Sequence, residues 1–139
     1  MIQTTKIILE TRGDCQIVDI SSQVRRTVNQ ACITGDAIVV LFHVGSTGGL
    51  TTLEYEPGLV NHDIKRMFDK IAPADGSYEH EKTWDDDNGH AHCRASLLGS
   101  SLSVPVVAGQ LALGTWQQIV LIDFDTRPRA RTIVCQILT

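Results

Sequence analysis

Strand-like patterning sits at both ends of this chain and helical patterning is confined to its middle, and that distribution constrains the fold more than any single motif. Residues 3 to 10 alternate loosely, and β-rich apolar runs recur at 101–107, 115–124 and 130–138. A parallel sheet needs a crossover between successive strands, whereas strands grouped at the ends of a chain pair most directly as antiparallel neighbours. The fold class expected is α+β: a sandwich of mostly antiparallel strands with helices grouped mid-chain, built as one domain over residues 1–139. At that length a single core buries roughly two-thirds of the surface of the unfolded chain, so neither a disulfide nor a metal is needed for folding.

Local signals place the elements. Thr11-Arg12-Gly13-Asp14 is a turn between residues 3–10 and the apolar run Cys15 to Ile20, which together predict a hairpin. Ser21 and Ser22 offer an N-cap to a helix whose packed face is Val24, Thr27, Val28 and Ala31. The continuous run Ala37 to Phe42 predicts a strand buried on both faces. Next comes His43-Val44-Gly45-Ser46-Thr47-Gly48-Gly49, a glycine loop that permits close approach by a ligand but matches neither a Walker loop nor a dinucleotide fingerprint. Thr51 to Glu56 resumes an extended pattern. After Pro57-Gly58 a helix carries the stripe Val60, Ile64, Met67, Phe68 and Ile71, expected in the core, with a charged opposite face. Residues 74–87 lack periodicity and predict a loop of the length that carries function. Asn88 is placed to cap a short helix that Gly99 ends.

Composition excludes some functions. The formal charge of -4 and a pI near 5.6, with no Lys/Arg run, give no footprint for duplex nucleic acid or an anionic membrane. The one basic cluster, Arg127, Arg129 and Arg131, would share a face on a strand and is a candidate local anion site. Cys15, Cys32, Cys93 and Cys135 are far apart among apolar neighbours and read as buried free thiols. No apolar run reaches membrane-spanning length, and the expected setting is the cytoplasm.

Chemistry concentrates in residues 80 to 119: His80, the acidic triplet Asp85-Asp86-Asp87, then Asn88-Gly89-His90-Ala91-His92, closing on Gly114-Thr115-Trp116-Gln117. Imidazoles suit Zn²⁺ and carboxylates suit Mg²⁺. On a helix starting near Asn88, however, His90 and His92 point roughly opposite ways, so only one could readily join His80.

The spaced residues Ser101, Val104, Val106, Gly109, Gly114-Thr115-Trp116-Gln117 and Ile119 resemble the pattern of the YjbQ family. Added to them are His80, Asp87-Asn88, His90 and His92 upstream, and Asp123-Phe124-Asp125, Arg127 and Arg131 downstream. The resemblance covers nearly the whole chain. It implies a small α+β sandwich assembled as a homotrimer, with sites near subunit boundaries built from the histidine-rich segment. It also implies a secondary thiamine-phosphate synthase activity, joining a pyrimidine diphosphate to a thiazole phosphate with loss of pyrophosphate. Many members carry a histidine before Thr-Thr where this chain has Gly45-Ser46-Thr47; His43 is expected to point differently from a residue at position 45, whereas Glu54 matches the family's glutamate.

The roles that follow from the resemblance are catalysis by Glu54, Asp87 and His90, with substrate held by Thr47, Asn88, Trp116, Gln117 and Arg131. His80, His90 and His92 would hold a divalent metal, Mg or Zn, and the Asp85–Asp87 carboxylates could hold Mg²⁺ against phosphate. Trp84 is a second ring that could stack on substrate. The partners expected are further copies of the chain and a small phosphorylated metabolite. The rival reading is a non-catalytic homotrimer binding a metal ion or phosphate metabolite through the same residues.

Overall fold

A computed structural model describes residues 1–139 as eight strands and four α-helices. Their order is β1 (Ile2–Thr11), β2 (Gln16–Asp19), α1 (Ser21–Gln30), β3 (Ala37–His43), β4 (Gly48–Glu54), α2 (Ile64–Ile71), α3 (Glu79–Trp84), α4 (Gly89–Leu98), β5 (Ser101–Val107), β6 (Gln110–Leu111), β7 (Gln117–Asp123) and β8 (Arg129–Leu138), with a π-helical turn, Leu59–Asp63, leading into α2. The strands form two antiparallel sheets, ordered β1-β8-β3-β5-β6 and β2-β7-β4. The α+β class with antiparallel sheets and mid-chain helices is thus the architecture observed.

The layers follow from strand alternation. Ile119 and Leu121 of β7 face the larger sheet and join Val39, Leu41, Val104, Ile133 and Ile137 with Val24 and Val28 of α1. Val120 and Ile122, between them in sequence, face the other way onto Phe68 of α2 and Ala91 and Ala95 of α4. Every residue from Ile119 to Ile122 is at most 1% exposed, so β7 is the strand covered on both faces. From the sequence, the continuous run Ala37 to Phe42 is the one that predicts such a strand. In β3, though, only Val39, Leu41 and His43 are buried, and Ile38 and Phe42 are about half exposed because nothing covers the outer face of the five-stranded sheet.

Other local expectations give way to specific contacts. Residues 2–11 and 16–19 do not form a hairpin: β1 pairs with β8 and β2 with β7, in different sheets. Between them Gly13, Asp14 and Cys15 all have positive φ, and the Asp14 N–H bonds to the Asp125 carbonyl at 2.7 Å, so the chain changes sheet instead of folding back. Ser21 lies inside α1, and its hydroxyl accepts from the Ile119 N–H at 2.8 Å; Asp19 supplies the acceptor for the Ser21 N–H. The apolar stripe of residues 60–71 is cut by the π-turn, which shifts its phase; Phe68 is buried, but Met67 and Ile71 are exposed. Residues 74–87 are not all loop, because α3 forms there, stitched to α4 by Glu81, whose carboxylate accepts from the N–H groups of Tyr78 (3.0 Å) and Gly89 (2.9 Å). All four cysteines are free; Cys15 and Cys135 are buried, whereas Cys32 and Cys93 are exposed. No helix is long and apolar enough to cross a membrane.

Candidate functional site

Polar side chains gather at one end of the sandwich because four strand termini meet there. β3 ends at His43, β4 begins at Gly48, β7 ends at Asp123 directly opposite Gly48, and β8 begins at Arg129. The loop from His43 to Gly48 closes this end from one side and the start of α4 from the other.

Its foundation is a buried ion-pair lattice. Arg131 is 6% exposed and donates from Nε and Nη2 to the two oxygens of Asp123, at 2.6 and 2.7 Å, and from Nη2 to Thr47 Oγ1 at 2.8 Å. Asp123 also accepts from Thr11 Oγ1 (2.5 Å) and the Asp125 N–H (2.9 Å). Asp125 accepts from Thr47 Oγ1 (2.9 Å), Arg129 Nε (3.0 Å) and, more loosely, Asn88 Nδ2 (3.4 Å). Burial alone would raise the Asp123 carboxyl, but the hydrogen bonds from Arg131 and Thr11 outweigh it and hold the group below the ordinary carboxylate range. Asp125 behaves likewise: burial is opposed by the Thr126 N–H and by Thr47.

The histidines divide. His80 Nε2 stands 3.1 Å from Asn88 Oδ1, and the His80 and His92 rings lie together with centroids 4.3 Å apart. His90 does not join them. It starts α4 two residues before His92, which turns it about 200° around the axis, so its buried ring sits near Tyr78, with centroids 6.3 Å apart and Nδ1 unpartnered. Burial and the Arg94 cation lower its pKa. Asn88 precedes α4 as expected, yet its side chain makes no capping bond and serves His80 and Asp125 instead.

Between the Gly45–Gly48 loop and α4 lie two adjoining hollows that share Gly45, Ser46 and His92, of about 560 and 380 Å³. Arg129, Arg131, Thr47, Asn88 and Asp125 line the smaller one. Burial, then neighbouring His80, lowers the pKa of His92, favouring a neutral ring at the cleft wall.

Of the residues singled out from sequence, Thr47, His80, Asn88, His92 and Arg131 are brought together here. Glu54, Trp116 and Gln117 are not: Glu54 ends β4 opposite Gln117, six residues or roughly 20 Å of strand from Gly48. There Glu54 and the 73% exposed Trp116 border a separate hollow with Glu56, and the Gln117 amide bonds to Thr52 and Gly114. Asp87 is a surface group accepting from Thr126 Oγ1 at 2.7 Å, and Arg127 pairs with Asp86 and Asp87 at 3.2 and 3.6 Å instead of joining Arg129 and Arg131. Trp84 is exposed at the end of α3.

Within one chain the donor set does not fit the expected Mg or Zn. No three His, Cys, Asp or Glu side chains converge as ligands; His90 is directed away, His80 is engaged by Asn88, and Asp86 and Asp87 are engaged by Arg127. His43 also departs from expectation. Strand residues two apart share a face, and the Gly45 N–H turns back to the His43 carbonyl at 3.1 Å, so the imidazole lies against Gly45 instead of pointing away. Sequence reasoning offered Arg129 only as part of a candidate anion cluster with Arg127 and Arg131, and did not select His43, Asp123 or Asp125 for the site. For the charged residues the available signal is the pair of Asp-x-Asp and Arg-x-Arg spacings, one closing an apolar strand pattern and the other opening the next.

These features define a class: small two-sheet α+β proteins with a polar cleft where strand ends, a glycine loop and a helix start converge. The chain matches the family model described as UPF0047 protein YjbQ-like over residues 5–139, and it belongs to that family. A UPF0047 protein of Archaeoglobus fulgidus is 38% identical over 96% of this chain and 99% of its own. YugU of Bacillus subtilis, another UPF0047 protein, is 35% identical over 95% of both. A solved YbjQ-like structure from Sulfolobus solfataricus superposes with a TM-score of 0.87 at 31% identity over 99% of each chain. A YjbQ/UPF0047 structure from Clostridium acetobutylicum gives 0.86 at 35% identity over 96% of this chain and 99% of that one.

The thiamine-phosphate synthase activity implied by the resemblance does not stand. The family and these relatives carry UPF0047 designations, which assign no activity, and the Sulfolobus solfataricus protein is described as of unknown function. Within one chain, moreover, the residues drawn on for that chemistry lie at opposite ends of β4.

Proposed function

We propose that the cleft between the Gly45–Gly48 loop and α4 binds a small metabolite through its phosphate group. The observation carrying this reading is Arg131: its Nε and Nη2 are fixed on Asp123 and Thr47, while Nη1 makes no hydrogen bond and would lie 3.2 Å from a Cβ on Gly45. A guanidinium held rigid by a buried carboxylate, with one donor edge left over, is preorganised for an oxyanion. Arg129, Ser46 and neutral His92 add polar groups beside it.

Inorganic phosphate titrated into ¹⁵N-labelled protein is expected to shift the amides of Ser46, Gly48 and His92 saturably, and Arg129→Gln to weaken the response. Absence of a saturable response at millimolar phosphate, or one scattered over the surface, would refute it.

We further propose that the chain assembles as a homotrimer through an apolar surface of its own. Ile8, Ile38, Phe42 and Val44 are 47–69% exposed on the uncovered face of the five-stranded sheet. Such contiguous apolar exposure marks interfaces. Ile38→Lys combined with Phe42→Lys is expected to convert the assembly to monomers in sedimentation; a monomeric wild type would overturn the assignment. The four free thiols suit a reducing compartment and support a cytoplasmic setting.

A further inference from the structure

Beneath the glycine loop lies a group that the ion-pair lattice does not use. His43 is 0% exposed, and neither Nδ1 nor Nε2 has a hydrogen-bond partner. Its ring is pressed against the two glycines: a Cβ on Gly45 would stand 2.8 Å from Cε1 and 3.1 Å from Nε2, and one on Gly48 would stand 3.0 Å from Cε1. The same Cβ on Gly45 would be 3.2 Å from Arg131 Nη1. Nε2 of His43 and the spare guanidinium nitrogen therefore converge on one side of Gly45, whose backbone, with Ser46 and Gly48, lines the cleft.

Two chemical facts decide what the ring can do. A neutral imidazole carries one N–H and one lone pair. Burial first, and the neighbouring Arg131 cation second, lower the pKa of His43 and keep the ring neutral, outweighing the Gly48 backbone, which raises it. Nε2 is the nitrogen on the side of Gly45 and Arg131, where a lone pair on it would meet an incoming donor. As a space-filler the ring is a poor choice, because a leucine would fill the volume without burying two unpartnered polar atoms.

We propose that His43 is a ligand-contacting residue, whose Nε2 accepts a hydrogen bond from a hydroxyl of the bound metabolite while Arg131 holds its phosphate. The ligand class is then a hydroxylated phosphate monoester, whose hydroxyl approaches the ring past Gly45, the loop position with no side chain between the cleft and His43. This rests on the anion reading of the cleft and narrows it.

Hydroxyethyl phosphate and methyl phosphate separate the two ideas, since they share the phosphate and differ in the hydroxyl. Wild type is expected to bind hydroxyethyl phosphate about tenfold more tightly by calorimetry, the worth of one good hydrogen bond. His43→Leu is expected to remove the tenfold preference and bring the two esters to equal affinity, with an unchanged or higher Tm; His43→Gln, which keeps an acceptor, retains part of the preference. In wild type the ¹⁵N resonance of His43 Nε2 is expected to move with hydroxyethyl phosphate and stay fixed with methyl phosphate, a readout that needs no variant. Equal affinity of wild type for the two esters, or a preference that survives in His43→Leu, overturns the role of His43 while leaving phosphate binding intact. Failure of methyl phosphate to bind wild type overturns the anion reading and this proposal with it.

Discussion

Replacing Asp123 by asparagine tests whether the buried lattice holds this end of the sandwich. Asp123 is 0% exposed and accepts four hydrogen bonds, two from Arg131, one from Thr11 and one from the Asp125 N–H. Asparagine keeps the shape but removes the charge and offers an N–H₂ where a lone pair is required, leaving the Arg131 guanidinium buried without its counter-ion. Breaking a buried pair from one side costs about 3–5 kcal/mol, against a total stability on the order of 7–20 kcal/mol for a chain of this size. With a urea m-value of about 2 kcal/mol/M, the unfolding midpoint should fall by roughly 2 M. Arg131→Met should cost a similar amount, for it strands Asp123. The double variant, which removes both charges, should cost distinctly less than the two singles added, giving a coupling of about 2 kcal/mol or more. Single losses below about 1 kcal/mol, or strict additivity, would mean that water reaches the pair and that Arg131 is not rigidly preorganised.

Gly45→Ala forces a Cβ to within 2.8 Å of the buried His43 ring, and should cost about 1–3 kcal/mol by overpacking; the loss should largely vanish on a His43→Ala background, measured by urea unfolding of the four proteins. Gly13→Ala, at φ +84° with a Cβ 2.3 Å from the Asp125 carbonyl oxygen, should be among the most damaging single changes, about 3 kcal/mol or more, seen as a Tm loss on the order of 10 °C. Stability should also fall as pH drops below about 6.5. His43 has a folded pKa below its unfolded value, so the unfolded chain binds the extra proton, and stability complete above pH 6.5 declines by up to about 1.4 kcal/mol per pH unit for that group. Urea midpoints from pH 7.5 to 5.5 should decline less steeply in His43→Leu than in wild type; parallel lines would contradict the assignment.

The fold class was legible because it depends on the order of patterns along the chain, and that order survives into three dimensions. Sheet partners were not, and β1 illustrates why. Its alternation announces a strand but says nothing of β8, which is more than a hundred residues away. The turn at residues 11–14 argued for the nearest partner, whereas three consecutive positive-φ residues, two of them not glycine, send the chain into the other sheet. Burial failed in the same way for β3: an apolar run states that a strand can be covered on both faces, and only the layer arrangement decides that β7 receives the second cover.

At the site, the residues found from sequence were the local cluster around α4 together with Thr47 and Arg131, and those missed, His43, Asp123 and Asp125, come from strand ends that only topology unites. Asp123 and Asp125, read alone, are charges closing an apolar strand, and Arg129 and Arg131 open another. Their meaning as one lattice needs Gly48 opposite Asp123 and Thr47 bridging Arg131 to Asp125. The lattice also explains why a glycine loop stands here. With Thr47 fixed by two charged partners and Gly48 locked in register, the backbone is held directly over His43, where a side chain at position 45 would strike the ring. Position 45 is therefore constrained by its neighbours before any ligand is considered: the imidazole, the arginine and the missing Cβ form one arrangement. A substitution at any of the three should be read through its effect on the other two.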